Sequence, residues 1–333
     1  MHYPNHEHVP HLPSHTRISS LESRLDATHG GLVSVLKQVL ATTALLLLAL
    51  SNASCSDDAS GPASLTLATF NVRNFFDANN DPLKLDDVPN PSDVTKKIAS
   101  LGAALRMIDA DVIALQEVEN LQILTRLRDD ALSDEGYGEV RLVEGNDPRG
   151  IDVALLSRHP VTRQISHKDD HFPGVDGDTT THGFSRDCLE VDLDVKGRKV
   201  TLLINHLRAK GHGSDDAAQR NAQAARVRAI ADAILAANAQ ALLAIIGDLN
   251  DVPTSRALTL LMQGNPILTD PTSGNPPLQR YTVAWGNKEQ VDYLLLSPAL
   301  KASLVPGSAT AIHTNIFSAT SDHFPVKAAF TLP

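Results

Sequence analysis

Six places in this 333-residue sequence set an amide, carboxylate or imidazole beside an apolar run: Asn71, Glu117, His206, Asp248 with Asn250, Asp292, and Asp322 with His323. One polar residue closing a strand needs no explanation, because strand ends meet water. Six in one chain, drawn only from Asn, Asp, Glu and His, need one. If the strands are neighbours, their ends converge on a single pocket. Carboxylates crowded into a pocket raise one another's pKa unless a cation neutralises them. Acids outnumber thiolates and histidines in this set, which favours a hard divalent ion with oxygen ligands, Mg²⁺ over Zn²⁺.

The elements that must position these groups alternate between strands and helices. Residues 65–72 alternate as a strand, and 93–108 place Val94, Ile98, Leu101, Leu105 and Ile108 at helical spacing. Residues 111–118 read as an apolar strand turning polar at its end, followed by a helix over 121–132. Strands are expected at 153–156, across 188–206 with a Lys196-Gly197-Arg198 turn, and at 242–248, 290–297 and 324–332. An Ala-rich helix covers 216–238. Irregular stretches at 73–92, 163–187 and 270–280 read as binding loops or rims.

Composition narrows the function classes. Hydrophobic residues at 42% support a packed core, and a net charge of -10 excludes a basic protein that coats polyanions. Cys55 and Cys188 are the two cysteines, too few for a disulfide framework or a four-cysteine zinc site. No run reaches the roughly 20 apolar residues of a membrane span.

Three domains of use follow: a signal region over 1–53, a linker over 54–63, and the working domain over 64–333. Lys37 precedes the 12-residue apolar run Val39–Leu50, and Ser51-Asn52-Ala53-Ser54-Cys55 follows it. Cleavage after Ala53 gives a secreted or periplasmic protein. Alternatively Ala53-Ser54-Cys55 resembles the end of a bacterial lipoprotein box with a lipid anchor on Cys55, although Asn52 stands where such a box wants Leu. The region before the apolar run is long, which places the translation start nearer Leu32 or Val33.

Thr69-Phe70-Asn71-Val72, Leu115-Gln116-Glu117-Val118, Asn205-His206, Gly247-Asp248-Leu249-Asn250, Val291-Asp292-Tyr293 and Ser321-Asp322-His323-Phe324-Pro325 resemble, in order, the motifs of the endonuclease/exonuclease/phosphatase superfamily. That superfamily includes pancreatic deoxyribonuclease, apurinic endonucleases, neutral sphingomyelinases and inositol polyphosphate phosphatases. The sequence is most similar to its secreted bacterial nuclease branch. The features carrying this are Glu144–Leu156, the Asn205-His-Leu-Arg-Ala-Lys-Gly211 stretch and the export signal.

The resemblance implies an α+β fold, a four-layer α/β/β/α sandwich of two mixed sheets with helices outside. It implies Glu117 as the direct Mg²⁺ ligand (Mn²⁺ being the alternative), with Asn71 and Asp322 completing the metal set. Asp248 would orient or deprotonate the attacking water, and Asn250 would donate to phosphate. His323 would contact phosphate, oriented by Asp292, and His206 would bond a phosphate oxygen or assist the leaving group. Arg208, Lys210 and Arg186 would bind substrate. DNA or RNA is the expected substrate, the chain acting as a monomer without a stable protein partner. A phosphatase, or a phospholipid or sphingomyelin phosphodiesterase, is the alternative enzyme. A non-catalytic exported binding protein would be expected only if Glu117, Asp248 or His323 were lost, and all three are present. Asp152 stands beside Arg186 as a residue framing the site or merely ending a strand. The loop acids and histidines from His167 to His182 read as a solvated rim rather than a second cation site, and Tyr281 and Trp285 as core aromatics or base-stacking partners.

Overall fold

Alternation along the first strand already sorts the core into layers. In β1 (Ala63–Phe75), Leu65 and Leu67 face one way, Ala68, Phe70 and Val72 the other, and all five are buried. A strand apolar on both sides needs cover on both faces of its sheet. The structure, a computed structural model, describes residues 61–211, 213–283 and 286–333. The signal region, Cys55, most of the linker and Trp285 lie outside the described residues.

β1 sits in a six-stranded sheet with β2 (Val112–Val118), β3 (Glu139–Leu142), β4 (Asp152–Ser157), β12 (Thr310–Ala311) and β13 (Val326–Leu332), in the order β12-β13-β1-β2-β4-β3. A five-stranded sheet holds β5 (Val161–Ser166), β8 (Cys188–Val195), β9 (Arg198–His206), β10 (Leu242–Asp248) and β11 (Asp292–Leu296), in the order β11-β10-β9-β8-β5. Each sheet is mixed: β1 with β2 and β9 with β10 run parallel, their other pairs antiparallel. Leu65, Leu67, Ala114 and Val153 of the first sheet join Val191, Leu202, Ile246 and Leu294 of the second in one core between the sheets.

Helices close the outer faces. α1 (Pro91–Ile108) starts at Asn90, whose side chain accepts from Asp93 N, with Pro91 in the first turn. Its buried Val94, Ile98, Leu101, Leu105 and Ile108 pack with α2 (Leu121–Ala131) over Phe70, Ile113 and Leu115. On the far side α3 (Ser214–Ala237) and α4 (Arg256–Met262) cover Leu203, Leu243, Ile245 and Leu295. The expected four-layer sandwich is therefore the fold.

Two expectations change. The stretch 163–187 is not irregular throughout: it carries the end of β5 and a hairpin of β6 (His171–Pro173) and β7 (Thr181–Gly183). Phe172 and Phe184 pin that hairpin into the core under α3. So short a hairpin has no alternation to read. The helices α4, α5 (Pro277–Arg280), α6 (Pro298–Ala302) and α7 (Asn315–Thr320) are likewise too short for helical periodicity to register.

Candidate active site

Strand register assembles the centre. Asp248 ends β10, and pairing sets His206 of β9 on one side of it and Asp292 of β11 on the other. Asp292 therefore opens its strand rather than closing it, contrary to the sequence reading. Because β11 runs antiparallel to β10, its first residue meets the last residue of its neighbour. Asp322 and His323 likewise precede β13. Gly247 is obligatory for this packing: it has φ +134°, and a Cβ there would lie 2.0 Å from the Asn205 carbonyl oxygen.

The first sheet contributes Asn71 and Glu117 from within strands, not from their tips. β1 runs on to Phe75 and β2 to Val118, and the register breaks between Asn71 and Phe75 and between Gln116 and Val118. Glu117 occupies that break with φ +65°, a left-handed backbone that an ordinary strand does not contain. The irregularity accompanies a side chain that faces the cavity instead of the core.

Across the sandwich the two groups meet. Asn71 Nδ2 donates to Glu117 Oε1 at 3.2 Å and to Asp248 Oδ2 at 3.0 Å. Asn74 N donates to the other Glu117 oxygen at 2.9 Å. His206 Nε2 lies 3.5 Å and His323 Nε2 3.9 Å from Asp248 Oδ2. His323 Nδ1 donates to Asp292 Oδ2 at 2.8 Å, and Thr282 Oγ1 accepts from Asp292 N at 3.1 Å. Asn250 N donates to Asp248 Oδ1 at 2.9 Å while its amide is spent on the Leu207 carbonyl at 3.1 Å.

Of these groups, Glu117, His206, Asp248, Asn250 and His323 line a cavity of about 220 Å³ with Arg149, Arg186, Lys210 and Asp322. Burial drives its charges apart. Asp248 is pushed up to about 7, by desolvation and then by Asp292, with His323, Asn71 and Asn250 pulling the other way. His206 is held well below its usual range by burial and by Arg186, so its ring is neutral. His323 goes in the opposite direction: burial opposes its charge, but Asp292, Asp248 and Asp322 together raise it to about 10. A cationic and a neutral imidazole thus flank one carboxyl.

The basic residues divide. Arg186 is buried, donates to the Leu207 carbonyl at 3.2 Å and pairs with Asp147 at 2.8 Å, and its Nε has no partner. Lys210 reaches the cavity while bonded to Glu289 at 2.6 Å. Arg208 stands in a neighbouring hollow and pairs with Asp216 at 2.7 Å. Arg149, within the Glu144–Leu156 stretch but not among the expected substrate-binding residues, lines both hollows. Its signal was present in the Asp147-Pro148-Arg149 turn, but a lone arginine in a turn looks like any solvated charge.

The rim residues are accounted for otherwise. His167 contacts Glu190 and Asp170, Asp170 pairs with Arg226, Asp176 with Arg256, and Asp178 with His182. Tyr281 stacks on His313 at 4.0 Å.

Among the described residues one set of acid and imidazole atoms lies within 4.8 Å of one another: Asp248, Asp292 and His323. The hydrogen bond from His323 to Asp292 suits that set to proton handling. Glu117 and Asp322 present further carboxylate oxygens to the same cavity, and no thiol lines it. An all-oxygen set of this kind fits a hard divalent cation.

A model of the endonuclease/exonuclease/phosphatase family matches residues 66–269. No curated protein matches the sequence significantly. Among solved structures, the human nocturnin catalytic domain with bound sulfate is 18% identical, with a TM-score of 0.58 over 81% of this chain and 94% of that one. A truncated Caenorhabditis elegans TDP2 is 18% identical, with a TM-score of 0.53 over 80% of this chain and 97% of that one. An endonuclease/exonuclease/phosphatase from Beutenbergia cavernae is 20% identical, with a TM-score of 0.55 over 81% of this chain and 72% of that one. Likeness at this level of identity shows the fold.

Proposed function

The chain belongs to the endonuclease/exonuclease/phosphatase family of metal-dependent phosphoester hydrolases, and from that premise we propose that it is an exported, Mg²⁺- or Mn²⁺-dependent nuclease acting on DNA or RNA as a monomer. The observation that carries the chemistry is the buried row His206–Asp248–Asp292 with His323 bonded to Asp292, set beside Glu117. Asp248 accepts the proton of the attacking water. His323, charged and held by Asp292, presents Nε2 to the phosphoryl oxygens where negative charge grows. His206 meets the same phosphate as a neutral ring. Glu117, Asn71 and Asp322 would hold the metal ion, which supplies Lewis-acid stabilisation of the phosphoryl charge when bound. Asn250 fixes Asp248 through its backbone. Arg149, Arg186 and Lys210 supply positive charge at the cavity wall, which suits a polyanionic chain, and Arg208 extends it.

Export rests on the apolar run Val39–Leu50 and the Ser-Asn-Ala-Ser-Cys sequence after it, with a lipid anchor on Cys55 as one form of it. A second reading has an observation of its own: Leu83, Leu85 and Val88 are exposed at 89%, 78% and 48% on the loop after β1, a surface suited to a lipid substrate. One panel separates the two. The chain with Mg²⁺ is assayed on duplex DNA, RNA, sphingomyelin vesicles, bis(p-nitrophenyl) phosphate and p-nitrophenyl phosphate. The highest kcat/KM is expected on a nucleic acid; turnover of sphingomyelin or the monoester alone would overturn the nuclease assignment.

A further inference from the structure

Thr282 holds the backbone on both sides of the His323–Asp292 pair. It is fully buried, ten positions before Asp292. Its Oγ1 accepts from Val291 N at 2.9 Å and from Asp292 N at 3.1 Å, which uses both lone pairs of the oxygen. Its carbonyl accepts from Phe324 N at 2.7 Å, and the next residue, Val283, bridges His323 as an antiparallel partner.

Topology explains why a side chain takes this place. β11 is the edge of the five-stranded sheet, so no further strand receives the outward amide of Asp292. Leu296, on the same side of that strand, meets the same need through Thr269, with which it exchanges backbone bonds at 2.9 and 3.0 Å. At Asp292 the acceptor is a hydroxyl instead. A buried amide without an acceptor is costly, so the hydroxyl has a definite task there.

The carboxyl of Asp292 has little else to aim it. Oδ2 is bonded to His323 Nδ1, while Oδ1 is buried with no hydrogen-bond partner. With no second bond on the carboxylate, its direction depends on where the backbone is set. That backbone is fixed by the register with Asp248 on one side and by Thr282 on the other. Groups that stabilise a transition state must be held to within ~0.5 Å.

We propose that Thr282 is a positioning residue for phosphoester cleavage, its hydroxyl fixing Asp292 and its carbonyl fixing the segment of His323, so that the imidazole stays aimed at the phosphoryl group. Thr282 does not line the catalytic cavity. It acts through the pair, and the inference rests on the role given to that pair above.

The test uses the full chain with Mg²⁺ and bis(p-nitrophenyl) phosphate, beside a readout that needs no turnover. That readout is the downfield NMR resonance of the His323 Nδ1 proton, assigned by its loss in His323→Gln. Thr282→Val keeps the shape and removes the acceptor. It should lower kcat by ~10-fold or more with KM within ~2-fold of the parent, and shift or erase the resonance. Thr282→Ser keeps the hydroxyl and should stay within ~3-fold of the parent, with the resonance in place. Where Thr282→Val does not fold, Thr282→Cys decides, because a thiol of similar size is a poorer acceptor, and a change in the same direction is expected. An unmoved resonance with unchanged kcat in folded Thr282→Val or Thr282→Cys, or a Thr282→Ser as impaired as Thr282→Val, would overturn the proposal. Unchanged kcat in Asp292→Asn at alkaline pH would remove the role of the pair and this inference with it. Loss of activity in Asp292→Asn beside an unaffected Thr282→Val would sink the inference alone.

Discussion

Replacing Asp292 with Asn isolates charge from orientation. The side chain is fully buried, and Asn preserves its shape and can still offer an acceptor to His323 Nδ1, now at 2.8 Å from Oδ2. What disappears is the anion that keeps the ring cationic. Burial disfavours that charge, and Asp292 is the foremost contribution against it, ahead of Asp248 and Asp322. With Asp292 in place the ring holds its proton to about pH 10, against 6.5 for an unperturbed histidine. The sign follows: the cationic form, and the stability it contributes, is complete below about 6.5 and fades as pH rises toward 10. In Asp292→Asn the fading should begin near neutrality. A ring titrating near its ordinary value is protonated in only ~3% of molecules at pH 8, so kcat there should fall on the order of 30-fold, equivalent to ~2 kcal/mol. The gap between variant and parent should close at pH 6, and KM should move little, because the charge acts on the transition state. Asp248→Asn removes the proton acceptor itself and should cost 10³-fold or so above pH 7, the gap narrowing as pH falls below 7 because the parent's own Asp248 is protonated there. Single-turnover cleavage from pH 5.5 to 10 measures both. An unmoved alkaline limb in Asp292→Asn, or a larger loss there than in Asp248→Asn, would refute the assignment of His323 as the cationic group.

Three further outcomes are expected. Activity should vanish with excess chelator and return with Mg²⁺ or Mn²⁺; full turnover in chelator would remove the metal from the mechanism. Lys97→Met should lower kcat at least tenfold and stability by ~1–3 kcal/mol in urea unfolding. The Lys97 ammonium holds the Val72, Arg73 and Thr320 carbonyls at 2.7, 3.0 and 2.8 Å, tying the segment after Asn71 to the one before Asp322, so an unchanged kcat would show that this tie does not position the site. Gly247→Ala should cost ~2–5 kcal/mol through overpacking and strain at φ +134°, read as a fall in Tm or soluble yield, and a stable variant would mean that β9 and β10 can separate locally.

Much of the molecule was legible before folding. Long amphipathic or two-face apolar runs announced α1, β1, β2 and β10, because each buries enough side chains to print its period on the sequence, while α3 was announced by its alanine content. The residue types that gather in the cavity, Glu117, His206, Asp248, Asn250, Asp322 and His323, stood out because apolar packing does not explain them. Short elements such as α4, α6 and the β6–β7 hairpin did not stand out, since two or three anchors carry no period.

What the linear order could not contain was neighbourhood. Asp292 and Asp248 are 44 positions apart, and only the antiparallel register of β10 and β11 sets the start of one strand against the end of the other. Bulges in β1 and β2, which no residue type encodes by itself, bring Asn71 and Glu117 from the first sheet to Asp248 in the second. The charges follow from that meeting. The same side chain, histidine, is neutral at 206 beside Arg186 and cationic at 323 beside Asp292, because the pKa of a buried group is set by what packs around it, and sequence names the group without its surroundings.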